Sequence, residues 1–368
     1  MKLNSLSVVN FKNYEEAHLE LNSNINCFIG NNGQGKTNLL DAIYYLAFCK
    51  SFFNPLDSQN ILHDQSFFVV QGTFFRDKKE EHFFCGIKKG HKKQFKWNKK
   101  EYEKLADHIG RVPLVMITPA DSFLISDGSE ARRKFIDGVI AQFNKGYLDN
   151  LLNYQKALSQ RNALLKSFSE NRYFDQESLS IWNEKLADYG KPIHEERTAF
   201  LEEFVPLFQK HYTVVSGGAE RVNLEYTSGM NDKSLKDLLV DSLPKDRSVR
   251  YTTQGIHKDD LTFQLDKFPL KKFGSQGQQK TYLIALKFAQ FEFIKSKKQT
   301  MPLLLLDDIF DKLDHKRVEA IIHLVSTDEF GQIFITDTSM DRIKPILNKI
   351  NKPFQLFDVE GGKVKEHE

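Results

Sequence analysis

The chain is poor in cysteine, with three among 368 residues. Cys27, Cys49 and Cys85 form no C-x-x-C pair and are odd in number, so neither a disulfide framework nor a cysteine-rich zinc site is expected. A reduced, cytoplasmic protein is expected instead. No stretch approaches the roughly 18 uninterrupted apolar residues of a membrane-spanning helix, so no membrane partner is expected either. The opening segment MKLNSLSVVNFKNYEE has neither a long apolar core nor a small-residue cleavage site, and it is not expected to act as a signal peptide. A strong charge of one sign is also missing. The formal charge of +3 is too small to argue for nucleic acid, so local clustering has to make that case. Repeats, low-complexity tracts and sustained heptads are lacking, which argues against solenoids and long coiled coils. With 40% hydrophobic and 27% charged residues, the chain has an ordinary globular composition, long enough for two domains or for one core with a large insertion.

What is present is led by Gly30-Asn31-Asn32-Gly33-Gln34-Gly35-Lys36-Thr37, a complete G-x-x-x-x-G-K-[ST] phosphate loop. The apolar run Ile25 to Ile29 leads into it, and Leu39, Leu40, Ile43, Tyr44 and Leu46 follow at helical spacing. In such a strand–loop–helix context the glycines let backbone N–H groups turn around a phosphate, and the helix start faces the same anion. Lys36 is then placed to reach the β- and γ-phosphates of ATP, and the Thr37 hydroxyl to hold Mg²⁺.

The first hundred residues read mostly as short strands, including Phe67 to Phe75 and His82 to Ile87 as antiparallel partners and Gln94 to Trp97 after a lysine-rich turn. Residues 129 to 210 carry long helical patterns. Tyr212 to Val215 and Val222 to Tyr226 bracket Gly217-Gly218 and suggest a hairpin. The simplest layout is an α/β nucleotide core built from residues 1–118 and 250–368, with a mostly helical lobe, 119–249, inserted between.

Met301 to Asp308 reads as a short buried strand ending in two acids, which suits a central parallel strand with ligands at its carboxyl end. Asp307 is expected at the metal and Asp308 at the attacking water; standing alone, the run would equally suit a strand and an acidic turn. In Asp311-Lys312-Leu313-Asp314, the last residue suits an N-cap for a helix from His315 to Val325. Upstream, Ser275, Gly277 and Gln278 precede another amphipathic helix, a second phosphate-binding helix start or a polar cap. His257-Lys258-Asp259-Asp260 reads as a structural turn, because no second His lies at ligand spacing.

Taken in order, GNNGQGKTNLLDAIYYLAF, TPADSFLISDGSEARRKFID, YQKALSQRNALLK, TTQGIHKDDL, FGSQGQQKTYLIALKFAQ and LLLLDDIFDKLD resemble the RecF family of bacterial DNA replication and repair ATPases. The resemblance implies an α/β, ABC-type P-loop ATPase head, a mixed sheet with flanking helices and an inserted mostly helical lobe, related to the heads of the structural-maintenance-of-chromosomes proteins. It implies an ATP-dependent homodimer in which Ser275, Gly277 and Gln278 of one subunit close over the γ-phosphate held by Lys36 and Thr37 of the other. It also implies binding to single-stranded and gapped DNA, with RecR as partner and RecA recombinase, indirectly, as beneficiary. One departure from the wider ABC pattern stands out: after strand Gln332 to Ile335 those ATPases place a His, where this chain has Thr336-Asp337-Thr338. A slow, DNA-dependent ATPase used as a switch is the expectation.

Lys88, Lys89, Lys92, Lys93 and Lys96 crowd one hairpin with Phe95 and Trp97 between them. The lysines suit phosphates and the aromatics suit base stacking; lysines guarding a sheet edge give the same pattern. Arg132, Arg133 and Lys134 make a weaker case of the same kind. Two other functions fit parts of the sequence. A small-molecule P-loop kinase would use Lys36 and Asp307 but leave Ser275 and the lysine hairpin idle. A chromosome-tethering head would need long coiled-coil arms, for which residues 129–250 leave no room.

Overall fold

A computed structural model describes residues 1–218, 220–310, 315–327 and 329–367. Two compact units divide them. The first gathers Met1–Asp121, Val214–Gly217 and Leu283–Glu368, and the second gathers Ser122–Thr213 and Gly218–Tyr282. The Asp311 to Asp314 turn and its N-cap lie outside the described residues.

The first unit holds two six-stranded sheets among its described residues. One is antiparallel and runs Tyr14–Glu20, Lys2–Phe11, Phe67–Arg76, Lys79–Lys88, Gln94–Trp97, Lys100–Glu101. The expected pairing of the strands around Phe67 and His82 is the one found. The other sheet has a parallel centre: Leu114–Ile117, Leu303–Asp307, Ile333–Asp337, Ile25–Ile29 and Phe354–Glu360 lie side by side, and Lys363–Glu366 closes the edge antiparallel. Every residue of Leu303–Asp307 is buried, as a continuous apolar run between two parallel neighbours requires.

Helix Lys36–Phe48 joins the two sheets into one core. Its Leu39, Leu40, Ile43, Tyr45 and Leu46 share a cluster with Leu6, Val8, Phe68 and Phe74 of the antiparallel sheet and with Phe28, Leu303, Leu305 and Phe334 of the parallel one. A helix covered on so many sides is apolar around most of its circumference. Each such Leu or Ile contributes about 1.5–3 kcal/mol by leaving water, so the helix that starts at the phosphate loop is firmly seated.

The second unit is led by helices Ser129–Ile140, Lys145–Glu170 and Gln176–Ser216. Its small sheet pairs Val222–Thr227 with Asp260–Leu265 and then Phe268–Pro269. That pairing draws residues 250–282, expected in the nucleotide core, into the helical unit. It also replaces the expected hairpin. Tyr212 to Val215 form the last turn of the long helix rather than a strand, because Phe200, Phe204, Phe208 and Tyr212 recur every fourth residue and are all buried. A continuous buried stripe overrides the strand preference of Thr213-Val214-Val215.

Contacts inside this unit occupy two of the basic residues at the start of helix Ser129–Ile140, while Lys134 pairs on the surface with Glu130. Arg132 makes two bonds, 2.8 and 3.0 Å, to the Asp260 carboxylate, and Arg133 donates to the Asp259 carbonyl at 2.6 Å. His257 is likewise structural: its Nδ1 meets the Tyr154 hydroxyl at 2.9 Å and its Nε2 the Thr252 carbonyl at 3.1 Å. Among the described residues no helix is long and apolar enough to cross a membrane.

Candidate functional site

Four adjacent parallel strands deliver their carboxyl ends to one place. Leu114–Ile117 ends at Thr118, Leu303–Asp307 ends on its own carboxylate, Ile333–Asp337 brings Thr336 and Asp337, and Ile25–Ile29 runs into Gly30. Open α/β sheets place ligands at such an edge. The phosphate loop is held there from outside. The Tyr14 hydroxyl donates to the Gly35 carbonyl at 3.0 Å, Asn13 donates to the Gln34 carbonyl at 2.9 Å, and the Gly361 N–H donates to the Gln34 side chain at 2.6 Å. Two glycines are needed for that fit. A Cβ on Gly30 would lie 2.1 Å from the Val359 carbonyl oxygen, and Gly35, at φ 112°, would push a Cβ to 2.4 Å from the Asn13 amide.

Lys36 Nζ donates to the carbonyls of Gly30 and Asn31, at 2.7 and 2.9 Å, so its ammonium is folded back over the loop. Burial lowers its pKa from the ordinary lysine value, against the pull of Asp308, Asp307 and Asp337. Thr37 Oγ1 donates to Asp307 Oδ1 at 2.8 Å, Thr336 Oγ1 donates to the same oxygen at 2.8 Å, and Thr118 Oγ1 donates to Asp307 Oδ2 at 3.3 Å. Burial raises the Asp307 pKa while these hydroxyls and Lys36 oppose it. Asp308 turns away from the strand at φ 47°, its N–H donating to Thr336 Oγ1 at 3.0 Å. Its carboxylate lies 3.6 Å from Arg342, which also grips Asp337 at 2.9 Å.

Asn32, Gly33, Gly35, Lys36, Thr37, Asp307, Asp308 and Thr336 share the walls of one cavity of about 170 Å³, small enough to suit phosphate groups rather than a whole nucleotide. Gly30, Asn31 and Gln34 line an adjoining groove of about 740 Å³ with Thr338, Asp358 and Glu360. The structure thus brings Asn32, Gly33, Gly35, Lys36 and Thr37 together with both acids and leaves Gly30, Asn31 and Gln34 in the adjoining groove. Thr118, Thr336 and Arg342 were not singled out as site residues, nor were Asn13 and Tyr14. No local motif marks Asn13, Tyr14, Thr118 or Thr336, because each acts on a group at least 21 residues away in sequence, and Arg342 reaches Asp308 from the following helix while pairing locally with Asp337.

Ser275, Gly277 and Gln278 belong to the second unit, at the start of helix Gln276–Lys298. The Ser275 N–H donates to Gln278 Oε1 at 2.7 Å and the Gln278 N–H donates to Ser275 Oγ at 3.2 Å. That reciprocal pair is a capping box, which leaves Ser275 exposed at a helix start.

The lysine hairpin divides. Lys88, Lys89 and Lys92 are exposed. Lys93 is turned inward, donating to the Cys49 carbonyl at 2.6 Å and pairing with Asp57 at 2.8 Å. Lys96 lies over the Phe84 ring at 5.4 Å. The expected aromatic stacking surface is not there: Phe95 is buried in the core, and the Arg111 guanidinium covers Trp97 at 3.8 Å. Both rings serve the fold, because the strand Gln94–Trp97 packs one face inward.

Residues 2–365 match the family described as the RecF/RecN/SMC N-terminal domain. The chain is 54% identical to the DNA replication and repair protein RecF of Phocaeicola vulgatus over 100% of this chain and 98% of the relative. It is 51% identical to that of Flavobacterium johnsoniae over 98% of this chain and 100% of the relative. Among solved structures it is similar to the recombination mediator protein RecF-ATP of the RecFOR pathway, with 30% identity, a TM-score of 0.90 and coverage of 100% and 98% of the two chains. An Smc head bound to the C-terminal domain of ScpA from Pyrococcus furiosus, 16% identical with a TM-score of 0.58 over 100% and 96% of the two chains, shares the fold. The chain belongs to the RecF family of DNA replication and repair proteins, which has the ABC-type ATPase head fold of the wider RecF/RecN/SMC group.

Proposed function

We propose that this chain is an ATP-driven switch that acts on single-stranded and gapped DNA in replication and recombinational repair. The observation that carries the reading is the convergence of Lys36, Thr37, Asp307 and Asp308 on one phosphate-sized cavity at the carboxyl ends of parallel strands. The RecF relative described with ATP supports the choice of nucleotide.

Thr37 and Asp307, a hydroxyl and a carboxylate 2.8 Å apart, are hard oxygen donors of the kind that would hold Mg²⁺. Magnesium bound there would supply charge neutralisation to the nucleotide's phosphates. The chain's own groups do the rest. The loop N–H groups cradle the phosphates, and Lys36 leaves the Gly30 and Asn31 carbonyls to meet the incoming negative charge. Asp308 accepts a proton from, or orients, the attacking water. Arg342, close to the Asp308 carboxylate, partly neutralises it, and Thr336-Asp337-Thr338 stand where the wider ABC pattern has a His; both features support slow turnover.

In this reading the exposed Ser275, with Gly277 and Gln278, closes over the nucleotide of a second copy, so ATP makes a homodimer. The exposed Lys88, Lys89 and Lys92 contact DNA phosphates, and DNA in turn stimulates hydrolysis. Cooperation with RecR in loading RecA completes the role, as family membership suggests. Equilibrium titration of ATP into the parent and Lys36→Ala tests the core of the proposal. The variant is expected to lose ATP binding and ATP-dependent dimerisation; parent-like affinity and parent-like dimers would remove the phosphate loop from the mechanism.

A further inference from the structure

A buried charge pair beside the metal carboxylate has no place in the mechanism above. Lys287 Nζ lies 2.7 Å from Asp121 Oδ1, with side chains 7% and 1% exposed. The same ammonium donates to the Met116 carbonyl at 3.0 Å. The other oxygen, Asp121 Oδ2, accepts the Thr118 N–H at 2.8 Å, and Thr118 Oγ1 then reaches Asp307 at 3.3 Å. One short relay therefore runs from Lys287 through Asp121 and Thr118 to Asp307, all within the first unit. Lys287 stands on helix Gln276–Lys298, the helix that begins at the Ser275 loop.

Stability alone does not call for this arrangement. A buried ion pair is commonly no better than apolar side chains of the same volume, and often worse. Its geometry does something an apolar pair cannot do: it grips strand Leu114–Ile117 at the Met116 carbonyl and fixes the turn after it by the Thr118 N–H. That grip fixes the backbone that carries the Thr118 side chain, whose Oγ1 also accepts the Ala120 N–H at 3.5 Å. From a backbone held in this place, the rotamer that points the hydroxyl at Asp307 adds a third hydroxyl to that carboxylate.

We propose that Lys287 and Asp121 are positioning residues that hold the Thr118 hydroxyl against Asp307 and so preorganise the magnesium site. The inference rests on the reading of Thr37 and Asp307 as the magnesium donors. It predicts that the pair tunes how much Mg²⁺ strengthens nucleotide binding, while leaving metal-free binding through the phosphate loop alone.

Titration of a fluorescent ATP analogue with and without Mg²⁺, together with thermal melting, tests it in four proteins. The parent is expected to bind more tightly with Mg²⁺. Thr118→Val, which keeps shape and N–H but removes the hydroxyl, is expected to cut that gain about tenfold at unchanged melting temperature and unchanged metal-free affinity. Lys287→Met is expected to cut the gain similarly and to melt lower, since Asp121 is left unpaired. Lys287→Met with Asp121→Asn neutralises both charges and keeps an acceptor for the Thr118 N–H. This variant is expected to recover melting temperature and to recover the Mg²⁺ gain only in part, because the grip on Met116 is gone. Parent-like Mg²⁺ gains in folded Thr118→Val and in the double variant would make the pair purely structural and overturn the inference, with the magnesium reading left standing. A parent without any Mg²⁺ gain would overturn both.

Discussion

Asp307 and Asp308 follow one another in the chain yet face different partners. Asp307 is tied by the hydroxyls of Thr37, Thr336 and Thr118, whereas Asp308 turns at φ 47° toward Arg342. Their substitutions should separate accordingly. Asp307→Asn loses a charge from the proposed metal donors and is expected to weaken Mg²⁺-dependent ATP binding about tenfold or more. Asp308→Asn should bind ATP within about twofold of the parent and turn over about a hundredfold more slowly, since an amide cannot take the water's proton. Binding titrations beside single-turnover hydrolysis check the pair; parent-like hydrolysis in both would show the two acids misassigned. At this scale the sequence spoke clearly for the phosphate loop and the acids, because a loop around phosphate is a local pattern and a strand end is marked by where its apolar run stops. It was silent on Asn13, Tyr14, Thr118 and Arg342. Asn13 and Tyr14 act on the loop from 21 residues away and Thr118 acts on a carboxylate 189 residues away, distances over which no spacing rule operates.

Elements divide along the same line. The central strands and the loop helix were readable because a fully apolar run and a helical apolar pattern are each self-contained. Tyr212 to Val215 and residues 250–282 were not, since pairing with distant strands and a buried stripe along a 41-residue helix decide them. The far end of the loop helix carries its own test. His108 is wholly buried; its Nε2–H donates to the Leu46 carbonyl at 2.6 Å and its Nδ1 accepts from the Tyr102 hydroxyl, at 3.1 Å. Burial pushes its pKa down to about 4. In the unfolded chain it takes up a proton near pH 6.5, so the stability it lends is complete above that pH and is lost as pH falls toward 4. Between pH 7 and 4.5 the parent should lose roughly 2–3 kcal/mol more than His108→Gln. Parallel denaturation profiles for the two proteins would mean that His108 takes up no proton on unfolding. On the lysine hairpin, Lys89→Glu with Lys92→Glu should weaken DNA binding with ATP binding intact. The log–log salt slope should fall by about one unit for each DNA phosphate that the hairpin no longer neutralises. Lys93→Met, by contrast, removes the ion-pair partner of Asp57, which keeps the Tyr45 hydroxyl, and should lower the melting temperature more than it changes the salt slope. An unaltered slope in the double reversal would return these lysines to guarding a sheet edge.

For the whole molecule the question is whether one chain suffices to make a closed nucleotide site. Ser275 caps its own helix and remains exposed, so its hydroxyl can face a second copy without rebuilding the loop. Ser275→Arg puts a bulky cation there. The substituted chain should still bind ATP through its intact phosphate loop, yet light scattering should show no ATP-dependent dimer, and hydrolysis should fall at least tenfold. Mixing Ser275→Arg with Lys36→Ala is the sharper measurement. A heterodimer of the two retains one composite site, made of Lys36 from the Ser275→Arg chain and Ser275 from the Lys36→Ala chain, while its other site carries both lesions. Each variant alone should stay monomeric with ATP, and the mixture should regain part of the parent's ATP-dependent association. Recovery of that kind requires the two halves to act across chains, because no single chain in the mixture holds both. If Ser275→Arg by itself dimerises as the parent does, the capping box is all that Ser275 provides, and ATP must drive association through some other surface.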